Sequence, residues 1–219
     1  MVVIKKYTLS LTAFISLIAL ALIGGLLFNN EKYMLFAIFE NKKNSSREIV
    51  LMGVMIALCI AGRFIFTLIP HFKPVTALVI ITGLYFGCNA GFVTGSLSAL
   101  LSNMHHGQGP WTVFQMAVWG LIGLTAGILG KNNFLKKKKA VLWIFSAIAG
   151  IAYSLVMDVY TTISVDSTFS LGRYIMYVGY SLPVMVEYII SNIVFIAVLE
   201  KPIGKKLERL KTKYGVFMQ

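Results

Sequence analysis

Residues 103–115, Asn-Met-His-His-Gly-Gln-Gly-Pro-Trp-Thr-Val-Phe-Gln, form a polar island with no formally charged residue between two apolar stretches. Asn103, Gln108, Thr112 and Gln115 supply neutral donors and acceptors. Gly107, Gly109 and Pro110 predict an irregular backbone whose amides are free to face a ligand. Trp111 adds a flat stacking surface with a single donor. Each of these groups left unpaired in hydrocarbon is costly, and lipid has no use for them. They point to the capture of a neutral or zwitterionic small molecule. The competing reading is an interfacial cap in which Trp111 anchors at headgroup level.

Three ionisable residues fall inside apolar segments, where charge marks a pair or a functional cavity. Arg63 and Asp158 both lie towards the outer ends of their segments, so either a structural ion pair or a substrate role is expected of them. Glu187, one turn after Pro183, is expected at the floor of a cavity or opposite Arg63. Lys73 stands at the entrance. His105 and His106 have no third ligand at a recognisable spacing, so solvated histidines are expected and no metal. Cys59 and Cys88 read as small buried hydrophobes. There is no GxSxG, HExxH or GxxxxGK[ST], so the chain reads as neither an enzyme nor an ATPase, and no cofactor is implied. Uphill movement of a solute would need a partner or an ion gradient, and a proton-coupled secondary transporter using Asp158 or Glu187 is the rival reading.

The elements that must position these residues are membrane helices. The 219 residues are 58% hydrophobic and 13% charged, about half the charged share of a soluble domain, and mean hydropathy is +0.80. Apolar segments cover 7–28, 48–69, 74–87, 90–104, 112–130, 140–164 and 177–200. A spanning helix needs about 20 residues, and the third and fourth fall short. They are expected as a re-entrant pair, as tilted helices, or as short helices buried among the others. The net charge of +12 sits in loops and tail, without the aromatic-basic interleaving of a nucleic-acid module. If every segment crosses, fifteen Lys and Arg residues fall on one face and four on the other. The positive-inside rule then puts the C-terminus in the cytoplasm of a multi-pass cell-membrane protein and the polar island outside.

The expected organisation is an N-terminal transmembrane helix (1–28), a polar linker (29–47), a six-helix domain (48–200) and a basic cytoplasmic tail (201–219). Gly53, Ala57 and Ala61 form a small-residue ridge on the first core helix, and Gly120, Gly123, Gly127 and Gly130 form another on the fifth segment. Such ridges let helices approach closely.

Phe72-Lys-Pro-Val-Thr-Ala77, with Gly107-Gln-Gly-Pro-Trp-Thr112 and Phe114-Gln-Met116 beyond it, resembles the substrate-specific S component of energy-coupling factor (ECF) vitamin transporters. The motifs are similar to those of the cobalamin-related subgroup, although His105-His106 replaces the aromatic residues usual there. The resemblance covers 48–200. It implies an all-α membrane bundle of six helices, here with one extra N-terminal helix, which captures a vitamin from outside. It further implies a transmembrane T component and two ABC-type ATPases as partners, with Gly53, Ala57 and Ala61 as the docking ridge. Lys73, Asn103, Gln108, Gly109, Trp111, Thr112, Gln115 and Glu187 are the substrate-binding residues expected on this reading.

Overall fold

The computed structural model describes residues 46–131 and 134–217, so the expected N-terminal helix and most of the linker lie outside the described residues. Six long helices and one single-turn helix make up the described chain. In order they are α1 (Ser46–Ile65), α2 (Val75–Phe86), α3 (Cys88–His106), α4 (Trp111–Lys131), the single turn α5 (Phe134–Lys137), α6 (Lys139–Asp166) and α7 (Leu171–Tyr214). Among the described residues, four segments are long and apolar enough to cross a membrane: Ser46–Ile65, Trp111–Lys131, Lys139–Val165 and Leu171–Tyr214. The protein is a multi-pass helical membrane protein.

Helix α2 explains the third segment, while the fourth lengthens into the nineteen residues of α3. All twelve residues of α2 are buried, as expected of a helix that is apolar on every face. It is a central post with α1, α3, α4, α6 and α7 around it. At about 1.5 Å per residue, twelve residues reach some 18 Å, less than a bilayer's hydrocarbon core. No lipid-facing length is required of a helix enclosed by its neighbours. Gly87, at φ +97°, ends α2 and starts α3, a backbone conformation that side chains disfavour. Its N–H donates to Gly83 O (2.9 Å), and its own carbonyl accepts from Gly91 N (3.0 Å).

Helices α3 and α4 meet backbone to backbone. A Cβ on Gly91 or Gly123 would run into the main chain of the other, and one on Gly127 would meet Cys88. The ridge on α4 is therefore an internal seam. The ridge on α1 is not. Met52, Met55, Ile56, Cys59, Gly62 and Arg63 face inward at helical spacing, whereas Gly53, Ala57 and Ala61 lie exposed on the outside of the bundle.

Both ends are fastened. At the lysine-rich end, Glu48 accepts the backbone N–H of Phe217 (2.6 Å), and the Phe217 ring stacks on Phe86 with centroids 4.2 Å apart. The Tyr85 hydroxyl donates to Glu200 (2.8 Å) under the Lys136 ammonium. Helix α7 does not stop near 200; it continues through Pro202 to Tyr214. Forty-four residues span roughly 66 Å, so its basic final turns lie beyond any bilayer. At the other end, the loop between α1 and α2 is clipped to α7. Lys73 N donates to Ser191 Oγ (3.0 Å), and that hydroxyl donates to Lys73 O (3.3 Å).

Candidate substrate-binding cavity

Beneath this clipped loop the bundle leaves a cavity of about 200 Å³, or about 670 Å³ of unfilled space with its mouth included. Five helices and the loop supply its walls. Helix α4 contributes Gln115 and Trp119, α6 contributes Gly150 and Tyr153, and α7 contributes Tyr188 and Asn192. Within α4 and α7 these residues are four apart, which puts both members of each pair on one helix face. Arg63 enters from the last turn of α1, with His71 and Lys73 from the loop and Thr76 from the first turn of α2.

The aromatic walls brace one another. Trp119 and Tyr153 are stacked, and Tyr188 stands edge-on to Tyr153 at 5.0 Å. His71, held at φ +54°, places Nδ1 3.1 Å from the Tyr188 hydroxyl. The Arg63 guanidinium lies 5.4 Å from the Trp119 ring centroid.

The polar island stands behind these walls. Arg63 Nη1 donates to Ser102 Oγ and to Asn103 Oδ1, the latter at 2.9 Å. Asn103 Nδ2 donates to Thr112 Oγ1 (2.9 Å) and Gln115 Oε1 (2.8 Å). Gln115 Nε2 in turn donates to the Tyr153 hydroxyl (2.9 Å). Thr112 Oγ1 donates to Gln108 Oε1 (2.9 Å), while Gln108 Nε2 caps Leu100 O (2.8 Å). This chain of bonds runs from α1 through α3 and α4 to α6. It satisfies the island's own groups and fixes the orientation of Gln115 and Arg63.

Of the residues expected to touch substrate, Lys73 and Gln115 line the cavity. Asn103, Thr112 and Gln108 support it from behind. Trp111 lies elsewhere, with Gly109 against its ring and Tyr160 edge-on at 6.3 Å. Glu187 points out of the bundle, because the face of α7 that meets the cavity is set by Tyr188 and Asn192. The expected Arg63–Asp158 pair is replaced by two separate arrangements. Arg63 turns to Ser102 and Asn103, and Asp158 accepts from Ser181 Oγ (2.6 Å). His105 and His106 pack around Phe64, and no three metal-ligating side chains cluster among the described residues.

Two donors are left over. Arg63 Nε and Trp119 Nε1 are buried without a hydrogen-bond partner, and both belong to residues that line the cavity. Buried donors in native proteins nearly always find an acceptor, so each orphan calls for one. Burial first, and the Arg63 charge second, hold the Lys73 ammonium below its ordinary proton affinity.

A multi-pass helical bundle holding a polar, aromatic-walled cavity with donors to spare has the build of a membrane subunit that captures a small molecule. Residues 43–209 match the family of the ECF-type riboflavin transporter, S component, and the chain belongs to that family. It is therefore the substrate-binding subunit of an ECF vitamin transporter, a transport component that associates with a T component and ATPases. The family is the riboflavin type, in place of the cobalamin-related subgroup that the loop motifs resembled. No curated protein and no solved structure matches the chain.

Proposed function

We propose that this subunit captures riboflavin or a close flavin relative in the cavity beneath the loop between α1 and α2. The observation that carries the reading is the stacked Trp119–Tyr153 wall with the Gln115 and Asn192 amides beside it. A flat, three-ring heterocycle offers one face to such a wall and its carbonyl and nitrogen edge to the amides and the two spare donors. A corrin with its axial base is far bulkier than a flat tricycle, and the enclosed space favours the smaller ligand. Family membership supports the same choice.

The ligand enters from outside in this reading, with the lysine-rich end and the C-terminus in the cytoplasm. The exposed ridge of Gly53, Ala57 and Ala61 docks the T component, whose ATPases supply the energy. Titration of the detergent-solubilised protein with riboflavin, followed by quenching of flavin fluorescence, tests capture. Saturable binding at submicromolar concentration is expected. Absence of flavin binding together with tight binding of a corrinoid or of dimethylbenzimidazole would replace riboflavin with the cobalamin-related ligand.

A further inference from the structure

The charge of the cavity is unbalanced. Arg63 is 8% exposed, and its Nη1 meets only the neutral oxygens of Ser102 and Asn103. Its Nε is buried without a hydrogen-bond partner. Lys73 lines the same space, and its bonds to Ser191 use the backbone and leave the ammonium free of that contact. No Asp or Glu is among the lining residues. Asp158 is engaged by Ser181, and Glu187 lies outside the bundle.

Two like charges brought to one desolvated site repel, and a buried cation without a counter-charge is costly. The depressed proton affinity of Lys73, caused in part by Arg63, is one expression of that cost. An anion between the two groups would remove it. Phosphate oxygens accept charge-assisted hydrogen bonds from both guanidinium and ammonium, and Arg63 Nε is a donor already awaiting one. A neutral vitamin supplies acceptors but no compensating charge.

We propose that the preferred ligand is anionic, a flavin phosphate monoester whose phosphate is held by Arg63 and Lys73 while its rings lie against Trp119 and Tyr153. The proposal rests on the flavin reading above and adds the charge state of the ligand. The test is a fluorescence titration of the full chain at low salt with riboflavin and with riboflavin 5′-phosphate. The phosphate should bind at least tenfold more tightly, and Lys73→Gln should shrink that ratio to threefold or less. Because the ratio is taken within one variant, loss of folded protein does not imitate the effect. Equal or weaker binding of the phosphate, with riboflavin still bound, would overturn the charge proposal and leave flavin capture standing. A tenfold preference that survives Lys73→Gln would overturn the role of Lys73. If neither flavin binds, the flavin reading fails and this inference fails with it.

Discussion

The indole of Trp119 lies almost parallel to the phenol of Tyr153, with ring centroids 5.2 Å apart and planes 17° from parallel. The rings come from α4 and α6 and are held from several sides. Gln115 fixes the Tyr153 hydroxyl, Tyr188 abuts its ring, and Arg63 lies over Trp119. The wall is thus braced by the protein's own contacts, which limits the ordering cost of binding.

Replacing Trp119 should therefore weaken capture directly. Trp119→Phe narrows the platform and deletes the unpartnered Nε1 donor while keeping an aromatic ring in the core. Flavin affinity is expected to fall about tenfold, or about 1.4 kcal/mol. Trp111→Phe, altered outside the cavity, should stay within about twofold by the same arithmetic. Fluorescence titration of both variants decides, and a larger loss at Trp111 would move the site to the polar island.

Asn103 is the junction of the bonded chain and is 1% exposed. Asn103→Leu keeps the branched outline but removes the acceptor for Arg63 and the donor to Thr112 and Gln115. Leaving a buried polar group unsatisfied costs about 1–3 kcal/mol, so a loss of about 3 kcal/mol in stability is expected across the three partners. Gln108→Ala, at an exposed position, should cost no more than about 1 kcal/mol. Thermal unfolding in detergent compares them, and equal midpoints would show that the chain of bonds contributes little.

Much of this arrangement was legible in the sequence. The apolar spans from residue 48 onward stand as helices where hydropathy put them, and the break between α3 and α4 falls at Gly107–Pro110, where turn chemistry put it. The bonding within the island was not legible, because composition shows which groups need partners but not that they partner one another. Asn103 is spent on Arg63, Thr112 and Gln115, Thr112 also on Gln108, and Gln108 also on Leu100 O, while the cavity is lined by residues deeper in the helices. Trp119, Tyr188 and Asn192, which line the cavity, were not among the expected residues because aromatic and amide residues inside a span read as packing. Their signal was present: Gln115 with Trp119 and Tyr188 with Asn192 are pairs four apart, each setting an amide and an aromatic ring on one helical face. Which small-residue ridge is internal was not legible either, since both put small residues on one helical face. Only the three-dimensional packing of α3 on α4 separates them.

That separation gives opposite expectations for two similar substitutions. Gly123→Leu drives a side chain into the Gly91 backbone, where nothing can rotate away, so folded protein should be largely lost. Ala57→Leu adds bulk on the exposed face of α1 and should leave riboflavin affinity within about twofold. On the docking proposal it abolishes riboflavin uptake in cells that supply the T component and ATPases. Binding by the purified variant and uptake by cells, measured in parallel, check this. Full uptake with Ala57→Leu would remove the ridge from the docking surface.

Lys73 should impart a pH dependence whose sign differs between folding and binding. Its proton affinity in the folded chain lies below the ordinary value of 10.5, chiefly through burial and then through Arg63. The folded state therefore disfavours the protonated amine, and this group's contribution to stability rises with pH between its folded value and 10.5. Binding of an anionic ligand runs the other way, because it requires the charged amine. Affinity for riboflavin 5′-phosphate should decline as pH is raised from 8 towards 10, about threefold or more, while Arg63 stays charged throughout. Riboflavin itself, lacking the phosphate, should change less, and Lys73→Gln should flatten the phosphate curve. Titrations at a series of pH values with both ligands measure the difference. An equal decline for the two flavins would assign the titration to a group other than the Lys73 ammonium.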